Sequence, residues 1–298
     1  MGATHNHHHH HPTSYNKAFF IATSANGIFV VIQILYAIWA NSTSLLADAM
    51  HNLGDVMGLA LAWIANSLLQ RKPTSFSTYG LKKSSIMAAM ANGLLLIFTC
   101  GIIAAEAFYK FISPEPVHAV MVIIVAAIGI VVNGATAALF IRGHNDLNIR
   151  GAFLHLFYDA LISAGVVVSA TLMYFTNWLW LDPLMGLLIA IIIIKGTWTL
   201  FKDSFRLMID AVPKEISLEA VKERLEKIPG VKQVHDLHIW ALSTRENALS
   251  VHLWMPEENF SDESREKLVH ELKHQYRIDH VTVQIERDLS FCEDSCAH

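Results

Sequence analysis

The chain is short of charge. Only 16% of its 298 residues are Asp, Glu, Lys or Arg, against roughly a quarter in ordinary soluble proteins. The shortage is uneven: residues 1–206 carry 19 charged side chains and residues 207–298 carry 29. Three cysteines are too few for the disulfide framework of a small secreted protein. No cluster of Lys and Arg offers the electrostatic footprint that nucleic acid needs, and the negative charge resides in the C-terminal part, −7 over residues 207–298 against +3 over residues 1–206. The first apolar run follows a His-rich stretch rather than a basic one and lacks a small-residue cleavage pattern, which argues against a cleaved signal peptide. These shortages exclude a soluble enzyme, a disulfide scaffold and a DNA-binding protein.

What the chain has in quantity is apolar length. It is 53% hydrophobic, with a mean hydropathy of +0.38. Six apolar stretches are long enough to cross the hydrocarbon layer at about 20 residues each: 18–39, 45–69, 84–112, 117–141, 152–175 and 178–200. Lys and Arg gather in two loops, as Arg71, Lys72, Lys82 and Lys83 after the second span and Arg142 and Arg150 after the fourth. The turns near Asn41 and Asn177 carry none, and Lys110 is the dissenter. The positive side faces the cytoplasm, so both termini are expected there.

The pattern changes after Pro213. Ser217–Lys227 places Leu218, Val221 and Leu225 on one helical face. Segments 231–242 and 248–255 alternate like strands around a polar turn at 243–247. Ser261 with Asp262 and Glu263 gives a second helix an acidic start, and 280–286 alternates as a third strand. The order αββαβ predicts a small α+β domain with one open sheet face.

Ionisable groups at membrane depth mark ion or substrate paths. The second span carries Asp48, His51 and Asp55; the fifth carries His155 and Asp159. The same His-x-x-x-Asp spacing occurs in both, and an i, i+4 pair shares one helix face. Two such faces packed together assemble two imidazoles and two carboxylates, an N2O2 set that suits tetrahedral Zn2+. Small residues around both pairs, among them Gly54, Gly58, Ala160 and Ser163, allow close helix approach. Asp48 reads as a supporting or access-path group. Metal and protons compete for such a site, a basis for exchanging one for the other. An integral membrane metalloenzyme is the alternative reading; it would need an open coordination position.

The segment from Ser44 to Asp55 (SLLADAMHNLGD), Gly151–Asp159 (GAFLHLFYD), Thr78–Lys83 (TYGLKK) and Val234–Trp240 (VHDLHIW) together resemble signature motifs of the cation diffusion facilitators. The likeness is greatest to the bacterial zinc, cobalt and cadmium resistance branch and to vertebrate-type zinc transporters. It implies six transmembrane helices followed by a cytoplasmic ferredoxin-like metal-sensing domain. It also implies a homodimer in the lipid bilayer, working as a metal efflux transporter by proton antiport. Zn2+ is the expected ion, with Co2+ or Cd2+ as possible companions, and a bacterial inner (plasma) membrane is the expected location. The implied divisions are a His-rich disordered leader (1–16), a transport domain (17–206), a metal-binding domain (207–290) and a Cys-containing tail (291–298).

Carried over by residue, the resemblance assigns the transport site to His51, Asp55, His155 and Asp159. It assigns a cytoplasmic metal site to His235, His252, His280, Glu286, Cys292 and Cys296. A further ligand position of the family falls on Gln284, and a loop site of some members falls on Thr74, Ser77 and Leu81, which are not metal ligands. Lys83 and Asp210 match a charge pair that links the two parts across the dimer in some members. His238 reads as a hydrogen-bonded strand residue, and His270 with His274 as a solvated helix face or a metal-binding pair. The leader holds six of the 17 histidines, His5 and His7 to His11; a native metal-collecting segment and an expression tag look alike there.

Overall fold

The structure, a computed structural model, describes residues 16–141, 147–256 and 260–288. The leader through residue 15 and the tail with Cys292 and Cys296 lie outside the described residues. Among those described, six long helices come first: α1 (Asn16–Trp39), α2 (Thr43–Leu69), α3 (Ser84–Ile112), α4 (Ala119–Ala138), α5 (Leu147–Thr176) and α6 (Leu181–Met208). Each contains a stretch long and apolar enough to cross a membrane. After them come α7 (Leu218–Glu226), β1 (Gln233–Ala241), β2 (Asn247–Trp254), α8 (Asp262–Tyr276) and β3 (His280–Glu286). The expected αββαβ order is present. Helix α6 continues eight residues beyond the expected end of its span, through Phe201–Met208, because no Pro or Gly interrupts it there.

The framework divides into two compact units: the chain up to Val56 with Phe98–Ile194, and Met57–Ile97 with the chain from Lys195 onward. In the first, α4 packs on both α5 and α1. Gly129 of α4 permits this closeness, since a Cβ there would stand 3.1 Å from Phe29 Cζ of α1 and 3.1 Å from Ser163 Oγ of α5. Gly186 of α6 plays the same part against α2, where a Cβ would meet the Thr43 side chain at 2.9 Å and its backbone at 3.1 Å. The tight turns after α1 and α5 each use an asparagine in the left-handed region, Asn41 at φ 51° and Asn177 at φ 55°, a conformation that asparagine adopts more readily than most residues. Trp39, Trp178 and Trp180 lie exposed at these turns, where amphipathic rings suit a membrane–water boundary.

One buried carboxylate organises the start of α2. Asp182, in the first turn of α6, accepts from Ser42 Oγ at 2.6 Å, Ser44 Oγ at 2.6 Å, Thr43 N at 2.7 Å and Ser44 N at 3.3 Å. Ser42 in turn accepts from Leu45 N at 3.1 Å. Amide groups at a helix N-terminus have no partner within the helix, and these contacts satisfy three of them.

In the second unit the sheet has the order β1-β2-β3, with β1 and β2 antiparallel and β2 and β3 parallel. Leu249, Val251 and Leu253 of β2 face a core with Val221 and Leu225 of α7 and Leu268 and Leu272 of α8. Each such fully buried side chain contributes about 1.5–3 kcal/mol relative to exposure. Ser217 caps α7 by accepting from Ala220 N at 3.2 Å, and Ser261 caps α8 by accepting from Ser264 N at 3.2 Å. The β1–β2 turn is tied to the start of α3: Lys82 pairs with Glu246, and Thr244 N donates to Ser85 Oγ at 3.1 Å. Lys83 pairs with Asp210 of the same chain at 2.6 Å.

Candidate metal centres

Helices α2 and α5 present their ionisable groups as matched rungs. His155 Nε2 lies 3.3 Å from Asp55 Oδ2, and His51 Nε2 lies 3.2 Å from Asp159 Oδ1. The rungs are also joined lengthwise, His155 Nε2 to Asp159 Oδ2 at 3.7 Å and His51 Nδ1 to Asp55 Oδ2 at 3.9 Å. The two imidazoles stand edge to face with centroids 6.2 Å apart. Zinc bonds of 2.0–2.1 Å in a tetrahedron separate donor atoms by about 3.3 Å, close to the shorter spacings across the rungs. His51, Asp55 and Asp159 are the most closely gathered, with one donor atom each within 4.8 Å of the others. Asp159 is only 3% exposed, whereas His155 is 47% exposed. Asp55 Oδ2 and Asp159 Oδ1 are buried and make no aligned hydrogen bond among the described residues. Buried carboxylate oxygens in that state are costly unless a cation or proton meets them.

One turn further along both helices is a neutral-donor cluster. Asp48, fully buried, accepts from Gln33 Nε2 of α1 at 2.7 Å and from Ser163 Oγ of α5 at 2.9 Å. Asn52 Nδ2 donates to Gln33 Oε1 at 3.2 Å. Sequence reasoning singled out Asp48 but not Gln33, and saw in Ser163 only its small size.

The second cluster lies on the sheet face turned away from the hydrophobic core. His235 and His252 are cross-strand neighbours on β1 and β2. Glu286 of β3 joins them, at 2.9 Å from His235 Nε2 and 2.9 Å from His252 Nδ1. These three have donor atoms within 4.8 Å of one another. A bulge between His235 and His238 adds a fourth group: Asp236 adopts φ 50°, which brings its carboxylate to 2.8 Å from His238 Nε2 and 3.4 Å from His252 Nε2. The hydrogen bond with His238, joined by the His252 and His235 imidazoles nearby, holds the Asp236 carboxyl below its ordinary value despite some burial. Asp236 was not among the expected ligands, because regular alternation points it the other way.

Gln284 donates to Glu286 Oε1 at 2.9 Å, so it orients a carboxylate instead of supplying a donor of its own. The structure does not bring His280 into this cluster. It begins β3, six residues before Glu286 and so about 20 Å away along an extended strand, and its ring meets Tyr79 edge-on at 5.5 Å. His270 and His274 lie exposed on α8 with ring centroids 4.3 Å apart. Thr74 and Ser77 close a turn on each other through backbone bonds of 3.0 and 3.2 Å.

Residues 19–209 match the family model described as the cation efflux transmembrane domain, and residues 213–288 match that of the cation efflux protein, cytoplasmic domain. The chain is 34% identical over 294 residues to the cadmium, cobalt and zinc/H(+)-K(+) antiporter of Bacillus subtilis (strain 168), covering 97% of this chain and 93% of that protein. It is 33% identical over 299 residues to the metal cation efflux system protein CzcD of Cupriavidus metallidurans, covering 100% and 93%. Zinc transporter ZitB of Pectobacterium atrosepticum is 30% identical over 289 residues, covering 96% and 89%.

Proposed function

Since this chain belongs to the cation efflux family, we propose that it exports divalent metal, zinc foremost, from the cytoplasm in exchange for protons. It is a multi-pass membrane transporter and not a metalloenzyme. The observation that carries the zinc and proton reading is the double rung of α2 and α5, where two imidazoles and two carboxylates converge with donor spacings of 3.2 to 3.9 Å. His51, Asp55, His155 and Asp159 are its ligands. Imidazole with carboxylate favours zinc among the common cytosolic ions, and cobalt and cadmium are chemically near enough to compete. The relatives' names, which include cadmium, cobalt and zinc, support the same set.

The groups that bind the ion must lose protons to do so. Metal arriving from the cytoplasm displaces them, and protons arriving from the other side displace the metal. Four protein donors close the coordination sphere, which suits carriage and leaves no open position for a bound water to react. Lys and Arg in the loop after α2 support a cytoplasmic position for that loop, the C-terminal domain and both termini, with a bacterial inner membrane as the proposed setting and a homodimer as the proposed assembly. A panel of divalent ions in proteoliposomes under an imposed pH gradient tests this reading. Zinc, cobalt and cadmium should enter, and calcium and magnesium should not; uptake of calcium or magnesium at the zinc rate would defeat it.

The sheet-face cluster is a second, regulatory metal site formed by His235, His252 and Glu286, with Asp236 beside them. Glu286 touches both imidazoles. Glu286→Ala in the full-length protein should weaken zinc binding at this site by at least about tenfold while the transport site keeps its affinity. Unchanged binding of the second zinc equivalent would remove Glu286 from the site.

A further inference from the structure

We infer that Asp48, clamped by Gln33 and Ser163, is a positioning residue that sets the register of α2 against α5 and with it the ion size the transport site accepts. The inference rests on the proposed assignment of that site. Along the two antiparallel helices the facing pairs run Asp55 with His155, His51 with Asp159, then Asp48 with Ser163. The third pair continues the first two by one helical turn but contains no metal-ligating imidazole. The hydrogen bonds of Asp48 go to Ser163 at 2.9 Å and Gln33 at 2.7 Å.

All three side chains are fully buried, and Asn52 returns the network to α2 through Gln33. Ser163 has little room to swing, because α4 approaches it at Gly129. A helix slip or splay of even about 1 Å at this rung passes directly to the ligand pairs next to it, and misplacements of that size are costly in a preorganised site. A widened site loses its advantage for the smaller ion first. Asp48 Oδ2 accepts both hydrogen bonds, while Oδ1 has no hydrogen-bond partner among the described residues. An asparagine carbonyl can replace Oδ2 as the acceptor of both bonds and preserve the clamp without the charge, at the cost of a buried Nδ2 where Oδ1 now has no hydrogen-bond partner among the described residues.

The test measures zinc and cadmium binding and uptake by the full-length protein. Ser163→Ala and Asp48→Ala should raise the Kd and KM for zinc about tenfold, leave kcat within about twofold, and lower the zinc-over-cadmium preference. Asp48→Asn should lie closer to the wild-type constants than Ser163→Ala does, and the pH profile of uptake should be the same in all the variants. Should Asp48→Ala not fold, Ser163→Ala, which removes one hydroxyl, carries the test. Wild-type zinc constants and selectivity in Ser163→Ala would overturn the inference. So would an Asp48→Asn protein as impaired as Ser163→Ala, or one with a displaced pH profile, since either makes the charge or a proton the working element. His51→Ala tests the transport site independently of the clamp: normal zinc binding there would mean the transport site itself is misassigned.

Discussion

Asp159→Ala is expected to reduce zinc uptake in proteoliposomes by at least about 100-fold, since loss of a direct ligand should exceed the 10–100-fold cost of losing a group behind one. The purified protein should keep its helix content and elution. Asp159 is the more buried of the two carboxylates among the four proposed ligands, and it lies 3.2 Å from His51 and 3.7 Å from His155. Its removal takes a negative charge and a shared donor from the site at once. Asp159→Asn keeps the shape and hydrogen-bonding capacity but not the charge, and should be nearly as inactive. If Asp159→Asn transported normally, charge at this position would be irrelevant and the site would need another ligand.

The second large effect concerns stability. Asp182→Ala should lower the midpoint of thermal unfolding in detergent more than any single change among the proposed ligands. The side chain is 1% exposed and accepts from two hydroxyls and two backbone amides at the start of α2. Each buried donor left without a partner costs about 1–3 kcal/mol. Because the losses are not additive, a total of about 3–5 kcal/mol is expected, at the upper end for single substitutions. Asp182→Asn retains one accepting oxygen and should fall between. An alanine variant with wild-type stability would show that water replaces the carboxylate at this helix end.

The membrane part was legible because its signal is long. Apolar runs of 20 or more residues gave all six spans, the first three within two residues at each end, while α5 begins five residues earlier and α6 ends eight residues later than expected; the repeated His-x-x-x-Asp spacing picked out four groups that the fold brings together. Gln33 and Asp182 were not legible. A lone glutamine in an apolar span and an aspartate beside a turn have no period, and each acquires meaning only from partners 15 or 138–140 residues away. The sheet-face cluster was legible in part. Alternation places His235, His252 and Glu286 on strands, but the bulge at Asp236 shifts the period locally and turns an unremarked aspartate toward two histidines. His280 shares the strand and the face of Glu286, yet extended backbone carries it to the opposite end. Likeness of position along a chain does not convey distance along a strand.

In the proposed transport cycle one ion site binds metal and protons in turn. Its most direct measurement records zinc uptake and lumenal pH together in the same proteoliposomes, for the wild type and for Asp159→Ala. A zinc pulse should alkalinise the lumen of wild-type vesicles in step with zinc entry, as protons leave, and both signals should vanish together in Asp159→Ala. Zinc entry through the wild type with no movement of protons would contradict it.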